Sequence, residues 1–354
     1  MEDFINTKYS ITINAPPSQP QKDGKIAYLP KVFIGLLCYG GQTFSRFNLS
    51  LSSLLDMLKA KGIPVITFVI DNESLVTRGR NNVAAKFLSM KEYTHLLLID
   101  VDISFNPQDV LGMLQFNKEI VCGCYPKKGI EWEKLFENRH KFRSLEEMKT
   151  HGLSYVINFD IPSSKELMDK QHEYQVETVD DRWIKVRHAG TGFMLINRKV
   201  FEILKRGYPE RMITPSQEGF MFKEATEHVL WNFFNAEKDP VSGIYLSEDY
   251  LFCDLWRRMG GEIWIDLNVK LTHIGTYQFG GDFKTFAFNP IHQLPDENVP
   301  LITKALIDAP AFQFDGKKYK VIQLIETQKE KKERKEKEKE DENEIDLSMI
   351  TEKK

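Results

Sequence analysis

The stretch "HLLLIDVD", His95 to Asp102, decides the fold of this 354-residue chain. Its apolar run is typical of a strand that is buried on both faces, as in a parallel sheet. Alternate residues of an extended chain face the same way, so we expect the carboxylates of Asp100 and Asp102 to project together from the carboxyl end of the strand. Open α/β sheets bind ligands at that end, and neighbouring carboxylates repel unless a cation lies between them. The stretch therefore predicts a divalent metal site.

Strands and helices alternate around this stretch. Further strands are predicted at "KVFIGLLCYG" (31–40) and "PVITFVID" (64–71), and helices at "FNLSLSSLLDMLKAKG" (47–62) and "RNNVAAKFLSM" (80–90). Asn106 and Pro107 predict the start of another helix, which runs to about residue 117, and "EIVCGCYP" begins a further strand. The alternation predicts an α/β fold, with a Rossmann-like mixed, mostly parallel central sheet flanked by helices and a smaller subregion.

The second half of the chain continues the sheet less regularly. The segment "RWIKVRHAGTGFMLINRKVFEILKRG" (182–207) predicts two strands around a Gly-Thr-Gly turn, followed by a helix. The segment "SEDYLFCDLWRRMGG" (247–261) predicts a helix with Ser247 at its N-cap, and "EIWIDLNVKLTHIG" (262–275) predicts two more short strands.

Composition changes mark the ends of the folded region. Residues 1–30 are polar and predict an N-terminal extension, whereas residues 326–354 are almost entirely charged and predict a helical or disordered tail. Between them we expect one domain at residues 31–325, with a first half at 31–126 and a second half at 127–325.

Charge and cysteine usage limit the possible partners. The net charge is -3 and the pI is about 6.3, so no global basic field is available for nucleic acid or an anionic membrane surface. No stretch approaches the roughly 18 apolar residues of a membrane span. The four cysteines are scattered through apolar runs, which predicts buried free thiols and a cytoplasmic, reducing location.

Three further residues point to an anionic, metal-bound ligand. Arg78 and Arg80 in "SLVTRGRNN" (74–82) stand near a helix start, where anionic oxygens bind well. His273 in "LTHIGTYQFGGDF" (271–283) would add an imidazole to the carboxylates, which shifts the expected metal from Mg²⁺ toward Mn²⁺. Each of these residues has an ordinary alternative role. The arginines could lie on a solvated helix face, His273 could be structural, and Asp100 and Asp102 could serve a turn.

With these residues in view, the chain resembles the GT-A superfamily of nucleotide-sugar glycosyltransferases. It is similar in particular to the family-2-like enzymes encoded by large DNA viruses and phages. The resemblance covers residues 31–285 and rests on "CYGG", "TRGRN", the D-x-D triplet "DVD", "GTGFMLI", "SED" and the late "HIG".

The resemblance implies a role for each matching position. Asp100, Asp102 and His273 would hold Mn²⁺ or Mg²⁺, with Asp102 as the direct ligand. The donor would be a UDP-sugar in preference to a GDP-sugar. Its binding site would be formed by Cys38, Tyr39, Gly40, Asp71, Arg78, Arg80, Asp100, Val101 and Gly192. Asp249, or else its neighbour Glu248, would be the carboxylate base of an inverting transfer to a glycan or protein acceptor. At a helix start, such a base is expected to have a lowered pKa.

Two other functions stay open at this stage. A metal-dependent nucleotidyltransferase shares the α/β layer and the paired carboxylates, but it usually carries a basic, glycine-rich loop directly after the first strand. Here only Arg46 follows "CYGG", some residues later. A non-catalytic GT-A-like protein that binds glycan or nucleotide is the alternative from another class, and binding without turnover would identify it.

Overall fold

The structure is a computed structural model that describes residues 9–14, 29–139, 141–142, 144–159, 174–176, 178–214, 230–240, 242–288, 311–314 and 319–322. The charged tail predicted for residues 326–354 lies outside the described residues. So does most of the extension predicted for residues 1–30. None of the described helices is long and apolar enough to cross a membrane.

The strands are β1 (Tyr9–Asn14), β2 (Val32–Cys38), β3 (Val65–Asp71), β4 (His95–Ile99), β5 (Ile103–Ser104), β6 (Ile120–Cys122), β7 (Ile157–Asn158), β8 (Tyr174–Val176), β9 (Thr178–Val179), β10 (Trp183–Val186), β11 (His188–Ala189), β12 (Phe193–Asn197), β13 (Glu237–Lys238), β14 (Tyr245–Leu246), β15 (Ile263–Asp266), β16 (Thr272–Ile274), β17 (Gln278–Gly280), β18 (Ala311–Phe314) and β19 (Tyr319–Ile322). The helices are α1 (Ser45–Ala60), α2 (Val76–Ser89), α3 (Pro107–Phe116), α4 (Trp132–Asn138), α5 (Leu145–His151), α6 (Arg198–Gly207), α7 (Glu248–Arg258) and α8 (Phe283–Phe288), with 3₁₀ turns at Tyr39–Gly41 and Pro209–Arg211.

A nine-stranded mixed sheet forms the centre of the molecule, in the order β1-β3-β2-β4-β12-β6-β15-β10-β9. β2 lies parallel to both β3 and β4, and β6 lies parallel to β15. β12 enters between β4 and β6 and is antiparallel to both. The carboxyl ends of β3, β2, β4, β6 and β15 therefore point the same way, although an antiparallel strand separates two of them. The predicted mixed α/β fold class is confirmed, but the sheet is not mostly parallel as expected, because five of the eight neighbouring pairs of described strands are antiparallel and three are parallel.

Helices cover both faces of this sheet and bury its side chains. α1 and α3 pack on one face, through residues that include Phe47, Leu54 and Met113. α2, α6 and α7 pack on the other face. All five residues of β4 are buried, and each large aliphatic side chain removed from water contributes about 1.5–3 kcal/mol. The apolar run that predicted a doubly buried strand is therefore the middle of a three-layer core.

Two elements differ from the sequence prediction. β4 ends at Ile99, so Asp100 and Asp102 lie on the turn that follows rather than on the strand. Residues 9–14, inside the predicted extension, form β1, which pairs antiparallel with β3 at the edge of the sheet. The four cysteines are free and buried, as predicted.

The start of α3 follows its predicted capping chemistry and adds a buried carboxylate. The Asn106 side chain accepts a hydrogen bond from the backbone of Gln108 at 3.1 Å, and Pro107 occupies the first turn. Asp109 in the same turn has a buried Oδ2 that lacks a hydrogen bond among the described residues. Burial, and then repulsion from Asp266, raise the pKa of Asp109 to about 6. Asp266 itself is neutralised by a bidentate pair with Arg182, at 2.9 and 2.6 Å.

Replacing Asp109 by Asn is expected to change how stability depends on pH. The folded pKa of about 6 lies above the ordinary value of 3.8, so the protonated group stabilises the fold below about pH 4 and loses that contribution as the pH rises through 6. The Asp109→Asn variant should melt at a higher temperature than the wild type at pH 8, with the difference shrinking toward pH 4. Asp56→Asn, on an exposed part of α1, is the control. A gap between variant and wild type that does not change with pH would contradict this account.

Candidate functional site

The candidate site is built on the turn that joins β4 to β5. The backbone N–H of Asp100 donates to Gly192 O at 2.9 Å, which ties the turn to the start of β12. The N–H of Ile274 donates to Asp102 O at 2.7 Å, which ties the same turn to β16. Because neighbouring strands from both directions hold it, the turn fixes two carboxylates at the carboxyl edge of the sheet.

Asp102 lies between His273 and Lys128. Its Oδ2 pairs with the Lys128 ammonium, and its Oδ1 is 3.4 Å from Nε2 of His273. Burial alone would raise the pKa of Asp102, but the contacts with His273 and Lys128 outweigh it, and the pKa lies below its ordinary value. The carboxylate is therefore ionised throughout the physiological range.

The tautomer of His273 is set by its second ring nitrogen. Nδ1 is 2.9 Å from Pro126 O, and because a carbonyl only accepts, Nδ1 carries the hydrogen. Nε2 is then the ring nitrogen that faces Asp102: when protonated it is the positive partner that lowers the pKa of Asp102, and when neutral it offers a lone pair to a cation. Oδ1 of Asp102 is buried and has no hydrogen bond within the described part of the chain. A bare carboxylate oxygen facing a bare imidazole nitrogen fits a divalent cation such as Mn²⁺.

Asp100 has different partners, so the three predicted metal ligands are not brought together. Among the residues that the structure describes, no group of three or more His, Cys, Asp or Glu side chains is close enough to hold a metal ion. The expectation that Asp100 and Asp102 project together fails because the chain turns after Ile99, and residues of a turn do not alternate as in a strand. Of the three predicted ligands, Asp102 and His273 are the two that lie beside each other.

The Arg80 guanidinium binds Asp100 and joins it to α7. Its side chain is 7% exposed; Nη2 lies 3.4 Å from Asp100 Oδ1, and Nη1 pairs with Glu248 Oε1. Burial would lower the pKa of Arg80, but Asp100 and Glu248 raise it further, so the group stays charged. A charge buried this far must be paired, and here one cation holds carboxylates from two distant parts of the chain.

Asp249 is buried beside this pair. Its Oδ1 accepts hydrogen bonds from the Ser247 hydroxyl and from the Tyr250 backbone at 2.8 Å, and no other described residue bonds the carboxylate. Ser247 occupies the predicted N-cap position, but its hydroxyl serves Asp249 rather than the helix backbone. Burial is the largest influence, and the pKa of Asp249 is raised. The lowered value expected for a helix start was therefore wrong, because desolvation outweighs the helix terminus here.

Gly192 allows the close packing behind Asp100. A Cβ at this position would lie 2.5 Å from Asp100 Oδ2 and 2.9 Å from Cζ of Tyr125. The Gly192 N–H donates to the Tyr125 hydroxyl at 3.2 Å, and Tyr125 is buried edge-on against His273, with ring centroids 5.5 Å apart. Tyr125 therefore contacts both Gly192, which packs behind Asp100, and His273, which faces Asp102.

The residues predicted for the nucleotide side lie at the ends of β2 and β3. Cys38 and Asp71 are register partners at these ends, and burial followed by Asp71 raises the pKa of the Cys38 thiol to about 11. Tyr39 follows and is 75% exposed as a residue, and Gly40 adopts a left-handed φ of +71°. The half-buried Val101 accepts a backbone hydrogen bond from Phe44 at 3.4 Å.

Arg78 is directed away from the Asp100 cluster. Its guanidinium forms a bidentate pair with Glu73, with Nε at 3.0 Å and Nη2 at 2.7 Å from the carboxylate oxygens. Glu73 also accepts from the Leu75 backbone at 3.1 Å. The pair therefore fixes the loop that leads into α2, and Arg80 alone of the two predicted arginines reaches Asp100.

The sequence interpretation missed Tyr125 and Lys128. Both belong to "GCYPKKG" (123–129), which directly follows β6, a strand whose carboxyl end lies at the same edge as that of β4. The signal that was available was this position after a predicted strand. From Lys127 onward the sequence matches no familiar motif, so it indicates no role for Lys128.

Comparison with known proteins adds no assignment. No family model matches the chain, and no curated protein matches it. The chain is similar to the crystal structure of A197 from STIV, with a TM-score of 0.34 and 16% identity over 69% of this chain and 86% of that chain. It is also similar to apo UDP-glucose pyrophosphorylase, with a TM-score of 0.27 and 9% identity over 67% of this chain and 72% of that one. At these TM-scores neither likeness carries an argument about the chemistry of the site.

A methyl group at Gly192 is expected to disturb the site from behind. Gly192→Ala places Cβ against Asp100 and Tyr125, and such overpacking costs about 1–3 kcal/mol. The variant should lose this much free energy of unfolding in urea titrations. Gly280→Ala is the matched control, since its Cβ meets only Thr272 Oγ1 at 3.7 Å. Equal free energies of unfolding for the two variants would contradict this prediction, because they would show that the residues around Gly192 can accommodate a methyl group.

Proposed function

We propose that this chain is a metal-dependent glycosyltransferase that moves a sugar from a nucleoside-diphosphate sugar to a hydroxyl of a glycan or protein. One observation carries the proposal: the bare Oδ1 of Asp102 faces Nε2 of His273 at the carboxyl edge of an α/β sheet. Mn²⁺ or Mg²⁺ is usually held by few protein ligands together with substrate phosphates, which suits a two-residue site. When bound, the metal would supply positive charge for the diphosphate leaving group.

The donor nucleotide would lie along the ends of β2, β3 and β4. Tyr39 offers an exposed ring for the base, and the carboxylate of Asp71, the register partner of the preceding Cys38, suits ribose hydroxyls or a base N–H. The backbone turns directly after Tyr39, where Gly40 has a left-handed φ of +71°. The diphosphate of the donor would then lie near Asp102, and we propose a UDP-sugar in preference to a GDP-sugar.

Asp249 is proposed as the base of an inverting transfer. The acceptor oxygen attacks the anomeric carbon, the bond from that carbon to the diphosphate oxygen breaks, and the hydroxyl proton passes to Asp249. A base works best when its pKa approaches the working pH, and burial moves that of Asp249 upward. Glu248 is held by Arg80 and is therefore better placed to position Asp100 than to receive a proton.

Ligand-induced stabilisation tests the donor site directly. UDP, GDP and their sugar conjugates are added with and without Mn²⁺, and a ligand that binds the native state raises the melting temperature. We expect Mn²⁺-dependent stabilisation by UDP and UDP-sugars, and its loss in Asp102→Asn. Asp180→Asn is the control, because Asp180 is exposed and has a φ of +55° that Asn tolerates. Stabilisation that needs no metal, or that survives in Asp102→Asn, would remove the metal site from the proposal.

Turnover separates the enzyme from a binding protein. Asp249→Asn should retain Mn²⁺-dependent stabilisation by UDP while kcat for donor consumption falls by about 10²–10⁴-fold, the range of a general base. Glu248→Gln should instead lower the melting temperature, since it leaves the buried Arg80 with a weaker partner. If the wild type binds UDP and Mn²⁺ but consumes no donor with any acceptor, the non-catalytic alternative replaces the enzyme.

A further inference from the structure

Lys128 occupies the side of Asp102 that His273 leaves open. It stands two residues after Pro126, whose carbonyl fixes His273, so one short segment controls both partners of the carboxylate. The lysine stem lies along the backbone of Gly275, where a Cβ would meet Lys128 Cδ at 3.3 Å. A residue with a side chain at 275 would crowd this path. The ammonium is thus guided onto Oδ2 of Asp102 across the end of the β16 strand.

This contact has a cost for metal binding. A carboxylate that neutralises an ammonium attracts a divalent cation less strongly, and the two positive charges repel each other across one side chain. The Lys128 side chain is 38% exposed and that of Asp102 is 21% exposed, so the pair can exchange with solvent and with ligands. A lysine with four methylenes can also reach a phosphate that arrives at the same edge of the sheet.

We propose that Lys128 is an exchangeable counter-ion, which neutralises Asp102 before the ligands bind and transfers to the diphosphate of the donor when the metal takes its place. The inference rests on the proposed function, because it needs a metal at Asp102 and a nucleoside diphosphate beside it. Its consequence is that metal and diphosphate bind cooperatively. The metal alone must displace Lys128, whereas the diphosphate gives the displaced ammonium a new partner.

Lys127 provides a matched control within the chain. It is the adjacent lysine, it is exposed, and none of the described residues forms an ion pair with it. Its backbone N–H donates to Ser154 O at 2.8 Å, which a change of side chain does not remove. Lys127→Met and Lys128→Met therefore change charge equally, and only the second removes the contact with Asp102. Lys128→Arg keeps the charge and should behave like the wild type.

The test is Mn²⁺ binding, followed by the electron paramagnetic resonance signal of free Mn²⁺, with and without UDP. For Lys128→Met we expect Mn²⁺ alone to bind about two- to fivefold more tightly than to the wild type, as removal of a partly exposed ion pair allows. We expect UDP, in the presence of Mn²⁺, to bind roughly tenfold more weakly, because a charged phosphate contact is lost. The factor by which UDP tightens Mn²⁺ binding should therefore fall, and Lys127→Met should keep the wild-type factor.

The outcomes are distinguishable. If Lys128→Met changes neither the Mn²⁺ affinity nor its coupling to UDP while the wild type binds Mn²⁺, the inference about Lys128 is overturned and the proposed function stands. If Mn²⁺ binds more tightly but equally so with and without UDP, Lys128 is a competitor only, and its transfer to the diphosphate is excluded. If the wild type binds no Mn²⁺, both proposals fail together. Circular-dichroism melting confirms that each variant is folded before it is compared.

Discussion

The buried guanidinium of Arg80 is the interaction on which the site depends. It comes from α2, and it holds Asp100 of the β4–β5 turn together with Glu248 of α7, which lies 168 residues away in the chain. Removing one partner of a buried ion pair costs about 3–5 kcal/mol, because the remaining charge is left without compensation. The sheet edge, α2 and α7 therefore have to assemble as one unit, and Asp249 takes its place in the site as the neighbour of a residue that is already fixed.

The two aspartates of the turn divide the site into two halves with different electrostatics. Asp100 shares the buried Arg80 guanidinium with Glu248, so this half is a network of two carboxylates held by one buried cation. Asp102 faces His273 and the partly exposed Lys128, the half in which we propose that one cation exchanges for another. Tyr125 lies between the halves and contacts both through Gly192 and His273. A fixed half beside an exchangeable half would suit the metal and diphosphate that we propose as ligands.

Local patterns predicted the layers of the fold well, whereas the site depends on contacts that are distant in sequence. The strands β2, β3 and β4 and the capped start of α3 follow from hydrophobic runs and from Asn106-Pro107, which act over a few residues. The turn that ends β4 after Ile99 is held by the hydrogen bonds from Asp100 N–H to Gly192 O and from Ile274 N–H to Asp102 O. These partners are distant in sequence, so no local pattern predicts them. Arg78 and Arg80 look alike in sequence, but two residues along a helix differ by about 200° in direction, so only one faces Asp100. Lys127 and Lys128 also look alike in sequence, and because they lie in an irregular segment, no periodicity predicts which of them faces Asp102.

The insertion of β12 between β4 and β6 also determines which pieces of this chain can exist alone. The partners of β12 both belong to residues 31–126, yet β12 comes much later, and its last residue is 102 positions from its contact in β4. A fragment that stops before Phe193 would leave the apolar run "HLLLI" as an open strand edge, which is the kind of surface that pairs with other chains. We therefore expect the first half to aggregate when it is expressed without the second. A chain emerging from the ribosome faces the same hazard until β12 has been made.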